Sequence, residues 1–197
     1  MKIRCLCSVL LCCILSLTFT GCRKSADKTL SGEDWNEEWR RIGRVLGVEA
    51  PPESFKLIAD NDALSVSDIY YTEWACGEPV EITTDSGETA SVYDAQLYLL
   101  LQETPNRELA ENSTEEWKKL TEKNYDISET FSGEYSGQEF SVYKYNTISE
   151  DNPYSGGISA FGVWEHGAVS VELVFKDSFA DDPDEILSTF LNGFHYA

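Results

Sequence analysis

The last third of the chain contains the pattern that most restricts its fold, namely two pairs of strand-forming runs in direct succession. The first pair covers 126–135 and 139–145, and the second covers 158–164 and 169–175. The short link within each pair contains a glycine, and such links predict β-hairpins. An antiparallel sheet of at least four strands is therefore expected.

A closing helix is expected to cover one face of this sheet. Apolar and polar residues alternate over 169–175, which predicts a strand with one buried and one partly wet face. Asp182, Pro183 and Glu185 match the cap, the first-turn proline and the third-position acid of a helix start. The apolar stripe of this helix is formed by Ile186, Leu187, Phe190, Leu191 and Phe194.

Residues 31–48 are predicted to form an N-terminal helix that starts at a cap on Ser31. Pro51 and Pro52 prevent its continuation. Apolar residues recur there at helical spacing: Trp35, Trp39, Ile42, Val45 and Leu46. The two tryptophans of this stripe either contact lipid or, as is commoner, pack on the domain.

The middle of the chain adds strands and one more helix. Strands are predicted over 55–59, 68–76, 80–84 and 91–102, the last of them central in its sheet because it is apolar on both sides. Ser113 and Glu116 predict a capping box that starts a helix over 114–123. The expected fold class is α+β, a mostly antiparallel sheet covered by helices, with an N-terminal and a C-terminal helix.

The N-terminus has the features of a secretory signal. A basic start is followed by an apolar run over 5–20, which is short for a membrane-spanning helix. The run ends in Phe19-Thr20-Gly21-Cys22, which resembles the lipobox of bacterial lipoproteins, although Leu is usual where Phe19 stands. The resemblance implies a diacylglyceryl group on Cys22 and cleavage between Gly21 and Cys22. The alternative is an ordinary secreted protein with an incidental cysteine.

These features predict the domain organisation and the cellular location of the protein. Residues 1–21 are the lipoprotein signal peptide, 22–30 the lipidated cysteine and tether, and 31–197 a single extracytoplasmic α+β domain. The expected location is the extracytoplasmic face of the cell membrane, and the membrane is a partner through the lipid on Cys22. Two acyl chains make such an attachment effectively stable.

Two further resemblances concern the folded part. The order of strands, middle helix, two hairpins and closing helix is similar to Mog1/PsbP-like domains over roughly 55–196. The stretches Tyr93-Asp94-Ala95-Gln96-Leu97-Tyr98 and Ile158-Ser159-Ala160-Phe161-Gly162-Val163 resemble uncharacterised lipoproteins of gut Firmicutes. The resemblance to Mog1/PsbP-like domains implies a layered sandwich of sheet and helices. Neither resemblance implies an activity.

The charge of the chain excludes one class of partner. Its 15 basic and 35 acidic side chains give a formal charge of −20, which becomes −22 when residues 1–21 are removed with Lys2 and Arg4. Direct nucleic-acid binding is not expected, because it needs basic side chains to displace phosphate counterions.

The residues that commonly carry chemistry form no catalytic or metal-binding pattern in the sequence. Cys76, the single cysteine after Cys22, is expected to act as a small hydrophobe, and His166 and His195 are expected to be solvated. The start of a calcium loop is resembled by Asp60, Asn61, Asp62 and Asp68, but Ser65 stands where the loop needs its glycine and Tyr71 where it needs its final glutamate. No catalytic residue, metal ligand or cofactor is therefore predicted.

The function expected from the sequence is that of a non-catalytic binding or accessory domain held at the membrane. Its ligand would be an envelope protein or a small molecule. Two alternatives remain at this point: a cell-envelope hydrolase that uses paired carboxylates, and a low-affinity divalent-cation binder. Enzymatic activity is uncertain and is the less expected outcome.

Overall fold

The computed structural model describes residues 39–49, 51–61, 68–83, 87, 89–148 and 152–196. Twelve strands occur in these ranges: β1 Arg40–Ile42, β2 Leu46–Val48, β3 Phe55–Asn61, β4 Ile69–Cys76, β5 Val80–Thr83, β6 Thr89–Val92, β7 Ala95–Glu103, β8 Asp126–Tyr135, β9 Gln138–Asn146, β10 Gly156–Trp164, β11 Gly167–Phe175 and β12 Phe194–Tyr196. Two helices accompany them: α1 Arg107–Asn124 and α2 Pro183–Asn192.

Seven strands form the main sheet, in the order β3-β4-β7-β11-β10-β9-β8. Every neighbouring pair is antiparallel, so the predicted mostly antiparallel sheet is confirmed. Both predicted hairpins are present as β8–β9 and β10–β11. Ser136 and Gly137 turn the first of them with φ of 48° and 72°, the left-handed pair that favours a tight hairpin.

The predicted strand over 91–102 is interior, as expected, but it is divided in two. Its first residues belong to β6, which pairs with β5 in a separate two-stranded sheet. The chain then bends at Asp94, whose backbone N–H donates to the carbonyl of Cys76 at 3.0 Å. β7 follows and lies between β4 and β11.

The closing helix forms as predicted, except at its last residue. The Asp182 side chain accepts a hydrogen bond from the Asp184 N–H at 2.9 Å, and Pro183 occupies the first turn. The helix ends at Asn192, so Phe194, which was expected on its stripe, lies in β12 instead. Phe194 is nevertheless buried with the rest of the predicted stripe.

The middle helix begins earlier than its predicted capping box. Asn106 is its cap and accepts from the Leu109 N–H at 3.0 Å, so the helix starts at Arg107. Ser113 lies inside it, and its hydroxyl donates to the Leu109 carbonyl four residues back. A serine hydroxyl inside a helix can bond to the carbonyl four residues back, so a Ser-x-x-Glu pattern does not by itself fix a helix start.

The prediction of an N-terminal helix is wrong over Arg40–Val48, and residues 31–38 lie outside the described residues. β1 and β2 pair as a hairpin, and Gly43 turns it with φ of 59°, a conformation that ends any helix. β2 also pairs with β12, which gives a three-stranded sheet in the order β1-β2-β12. The partner strand, in which Phe194 pairs with Val48, lies far along the chain and supplies hydrogen bonds that the local sequence does not reveal.

The two larger of three hydrophobic cores among the described residues lie on opposite faces of the main sheet. The larger core joins α2 and the β1-β2-β12 sheet to one face, and its centre includes Leu97, Leu99, Val171, Leu173 and Phe190. On the other face α1 packs against β10 and β11, where Ala110 and Trp117 contact Leu100 and Phe161. Among the described residues, neither helix has the length and the apolar character that a membrane crossing requires.

Candidate functional site

A groove of about 510 Å³ opens beside the edge strand β3, on the same face of the main sheet as the larger core. We call it the Trp39–Trp74 groove. Its lining residues come from the start of the described chain, β1, the end of β2 and strands β3 and β4: Trp39, Arg40, Arg41, Glu49, Pro51, Phe55, Leu57 and Trp74.

The floor of the groove is apolar and belongs to the core. Trp74 and Phe55 are 4% and 7% exposed, and the Trp74 ring meets the Phe190 ring edge-on with centroids 5.2 Å apart. Leu57 on the edge strand is 40% exposed and supplies an accessible apolar side. Of these three side chains, Leu57 therefore offers a ligand the most accessible apolar surface.

One wall of the groove is held by the C-terminal strand. The rings of Trp39 and His195 stack with centroids 3.5 Å apart and planes within 6°. His195 Nε2 lies 3.0 Å from a Glu49 carboxylate oxygen, and the Glu49 N–H donates to the Gly193 carbonyl at 2.9 Å. His195, expected to be solvated, is thus half-buried and positions Trp39.

The polar groups of the groove are two guanidinium groups and one carboxylate. Arg41 donates from Nε to the Gly43 carbonyl at 3.0 Å, which holds its side chain beside the hairpin turn. Arg40 is half-buried, and Arg41 and Glu49 are exposed. An apolar floor with a few charged groups at the opening is typical of a small-ligand site, and guanidinium groups suit an anionic group on the ligand.

The β1–β2 hairpin that carries part of the groove is fastened to the main sheet by Glu103 at the end of β7. This carboxylate is buried and accepts hydrogen bonds from the Arg44 N–H and, at 2.6 Å, from the Arg44 Nε. Arg44 also reaches Asp68 at 3.2 Å. A side chain at Gly43 would lie within 2.5 Å of a Glu103 oxygen, so this turn leaves room only for glycine.

The other face of the main sheet contains a network of tyrosines and carboxylates. Glu172 on β11 accepts hydrogen bonds from the hydroxyls of Tyr145 and, at 3.3 Å, Tyr125, whose rings stack with centroids 3.9 Å apart. Burial raises the pKa of Glu172, although the hydroxyl donors oppose this shift. Burial also raises the pKa of Tyr145 well above its ordinary value.

A second carboxylate occupies the same row of this face. Glu73 on β4 and Glu172 are each paired in register with Tyr98, which lies between them on β7. Glu73 accepts from the Tyr71 hydroxyl at 2.7 Å and from Gln96 Nε2 at 2.5 Å, and burial raises its pKa. Both carboxyl groups therefore favour the folded state more at acid pH than at neutral pH, since the folded protein holds their protons more tightly.

The carboxylates of this network are already engaged by donors of the protein. One strand separates the backbones of Glu73 and Glu172, which are about 9–10 Å apart, and each carboxylate accepts from its own set of hydroxyl or amide donors. Within the described part of the chain, no group of three or more His, Cys, Asp and Glu is placed to hold a metal ion.

The other residues singled out in the sequence have ordinary surroundings. Cys76 is a free, half-buried thiol that packs against the larger core, and burial raises its pKa, which keeps it protonated. His166 lies in the β10–β11 turn. Asp68 pairs with Arg44, whereas the side chains of Asp60, Asn61 and Asp62 lie outside those described. Gly21 and Cys22 also lie outside the described residues.

Six aromatic residues of the predicted strands are at least partly buried. Trp74, Tyr145 and Trp164 are buried, and Tyr70, Tyr71 and Tyr143 are half-buried against one of the two larger cores. The groove was not found from the sequence because its walls come from segments far apart in the chain. The adjacent Arg40 and Arg41 beside Trp39 were the available signal.

Comparisons with known proteins give a likeness of fold and no more. No protein-family profile and no curated protein matches the chain. Among solved structures it is similar to cyanobacterial PsbP (CyanoP) from Synechocystis sp. PCC 6803, with 10% identity and a TM-score of 0.40. The match covers 73% of this chain and 93% of that chain. This neighbour is of the PsbP-like type that the order of elements resembles, and at this TM-score it carries no argument about function.

Proposed function

We propose that this protein is a lipoprotein, held by a diacylglyceryl group on Cys22 at the extracytoplasmic face of the cell membrane, and that its domain is a non-catalytic binding module. The anchor is supported by the Phe19-Thr20-Gly21-Cys22 junction after a signal-length apolar run. The binding role is supported by the Trp39–Trp74 groove.

The groove is the single observation that carries the binding role. Its volume of about 510 Å³ lies within the range of about 300–1,000 Å³ that small-molecule sites occupy. Its lining combines an apolar floor and the accessible side chain of Leu57 with guanidinium groups, in a protein whose formal charge is −20. The ligand class that fits is a molecule with an apolar body and an anionic end.

The anchor is tested by replacing its cysteine. Cys22→Ser should abolish labelling with a radioactive fatty acid and prevent cleavage at this junction, because the thiol that accepts the diacylglyceryl group is gone. Cys76→Ser is the matched control and should leave both unchanged, since Cys76 is part of the folded domain. Normal labelling and processing of the Cys22→Ser variant would contradict the anchor.

The binding role is tested with the dye anilinonaphthalene sulfonate, which has an apolar body and one anionic group. Leu57→Glu places a carboxylate at the accessible side of the groove, so we expect roughly tenfold weaker dye binding, a difference of about 1.4 kcal/mol. Fluorescence titration measures it. Val80→Glu, at another exposed apolar position on β5, should bind as the unmodified protein does. Equal affinities of all three proteins would exclude the groove as the site.

A further inference from the structure

One face of the β1-β2-β12 sheet brings two opposite charges to the Trp39–Trp74 groove. Arg41 and His195 are both paired in register with Gly47, so their side chains lie on the same face of this sheet. Glu49 and Trp39 belong to this face as well, because the Glu49 carboxylate lies 3.0 Å from His195 Nε2 and the Trp39 ring stacks on the same imidazole. Trp39, Arg41 and Glu49 all line the groove.

The two charges are held at separate positions on this face. Arg41 Nε donates to the Gly43 carbonyl at 3.0 Å, which directs the guanidinium towards the hairpin turn. Glu49 lies at the other end of β2, where its N–H donates to the Gly193 carbonyl and continues the pairing of β2 with β12. Arg41 and Glu49 are thus diagonal neighbours, whose backbones are about 7–8 Å apart. Both residues are exposed.

The apolar part of the lining also belongs to one face, that of the main sheet. Leu57 is paired in register with Trp74, and Phe55 precedes Leu57 by two residues, so the three side chains point to the same side. Arg40 alternates with Arg41 along β1 and is half-buried, so it is not counted with the two exposed charges. A ligand therefore meets a cation, an anion and an apolar surface in one groove.

We infer that the ligand of the groove is a short, extended peptide with apolar side chains and free termini. This inference rests on the proposed binding role of the groove. The guanidinium of Arg41 binds the C-terminal carboxylate, since guanidinium groups bind carboxylates through paired hydrogen bonds. Glu49 binds the N-terminal ammonium, because a carboxylate has about four acceptor positions and His195 occupies one. Leu57 contacts an apolar side chain of the peptide.

The separation of the two charges favours a peptide over a single amino acid. A free amino acid carries its ammonium and its carboxylate on the same carbon atom, so it reaches Arg41 or Glu49 but not both. An extended chain spans at most about 3.3–3.6 Å per residue. Two or three residues therefore match the distance of about 7–8 Å between diagonal neighbours of a hairpin.

The inference is tested by calorimetric titration of the purified protein with trileucine. Three related compounds are titrated in parallel: trileucine acetylated at its amino group, trileucine amide, and free leucine. We expect each blocked terminus to weaken binding at least tenfold, because it removes the charge that Glu49 or Arg41 recognises. Free leucine should also bind at least tenfold more weakly than trileucine.

Glu49→Gln tests the site of the ammonium group. The amide oxygen still accepts from His195, so the substitution removes the charge and retains the contact. It should weaken trileucine binding about tenfold and leave the binding of acetylated trileucine unchanged. Glu53→Gln is the matched control, since it removes the same charge from an exposed position outside the groove lining and should change neither affinity.

Arg41→Gln tests the site of the carboxylate group. It should weaken trileucine binding about tenfold and leave the binding of trileucine amide unchanged. Lys56→Gln removes the same charge from an exposed position outside the lining and should change neither affinity. Circular dichroism checks that Arg41→Gln is folded, because this substitution also removes the bond to Gly43. If it is unfolded, the Glu49 and Glu53 variants decide the matter.

The dye titration described above separates this inference from the proposed binding role. If Leu57→Glu weakens dye binding, but trileucine does not bind or binds regardless of its termini, the peptide ligand is overturned and the binding role stands. Equal effects of the Glu49 and Glu53 variants would indicate a non-specific effect of charge and would also overturn the peptide ligand. If Leu57→Glu weakens the binding of neither dye nor trileucine, the groove is not a binding site and both proposals fail.

Discussion

Phe190→Ala should lower the free energy of unfolding by about 3–5 kcal/mol, a large part of the roughly 5–15 kcal/mol of an ordinary domain. The Phe190 ring is 1% exposed and meets the rings of Trp74 and Phe194 edge-on, at 5.2 and 5.3 Å between centroids. Its removal leaves a cavity between α2 and the main sheet, beneath the Trp39–Trp74 groove. Urea unfolding followed by circular dichroism measures the change.

Thr189→Ala is the matched control, since Thr189 is the exposed neighbour of Phe190 on the same helix. It should change the stability by no more than about 0.5 kcal/mol.

Removal of the chain from Asp182 onward should give an unfolded or aggregating protein, because it exposes the face of β11 that carries Val171 and Leu173 and deprives β2 of its partner β12. A soluble truncation with a cooperative transition would show that α2 is dispensable.

Glu103→Ala is expected to destabilise the protein by about 1–3 kcal/mol, because it leaves the Arg44 backbone N–H and Nε without their acceptor. The Glu103 side chain is only 5% exposed, whereas that of Arg44 is 36% exposed and recovers part of its hydration. The β1–β2 hairpin, and with it the Arg40 and Arg41 side of the groove, should loosen. Amide hydrogen exchange over 40–48 should accelerate accordingly.

Asp68→Asn tests the other acidic partner of Arg44. The Asp68 side chain is 57% exposed, and asparagine tolerates the same φ of 52°, so the change should cost less than about 1 kcal/mol. Similar losses for the Asp68 and Glu103 variants would show that exposed charge, and not the buried carboxylate, holds the hairpin.

The elements that the sequence predicted well are those whose signals are local. The β8–β9 turn and the Asp182 cap depend on residues within a few positions of each other, and both form. The alternation over 169–175 placed Val171 and Leu173 in the core correctly because a strand directs successive side chains to opposite faces.

The N-terminal segment was misjudged because its fold depends on a distant partner. The spacing of Trp39, Ile42 and Val45 is compatible with a helix and with a short hairpin. The pairing of β2 with β12 favours the hairpin. Gly43 and Gly47 were the local sign against a helix, since glycine is unfavourable in a helix interior. The groove shares this origin, because Trp39 takes its position from His195.

The pairing of β2 with β12 also affects the order in which the protein can fold. The small sheet joins residues near the start of the domain to residues at its very end, so it cannot form until the last strand is free to pair. Contacts between such distant residues form slowly, because a long loop must close first. In a chain exported from its N-terminus, as the signal sequence predicts, the pairing of β2 with β12 and the stacking of Trp39 on His195 would therefore form only after β12 has crossed the membrane.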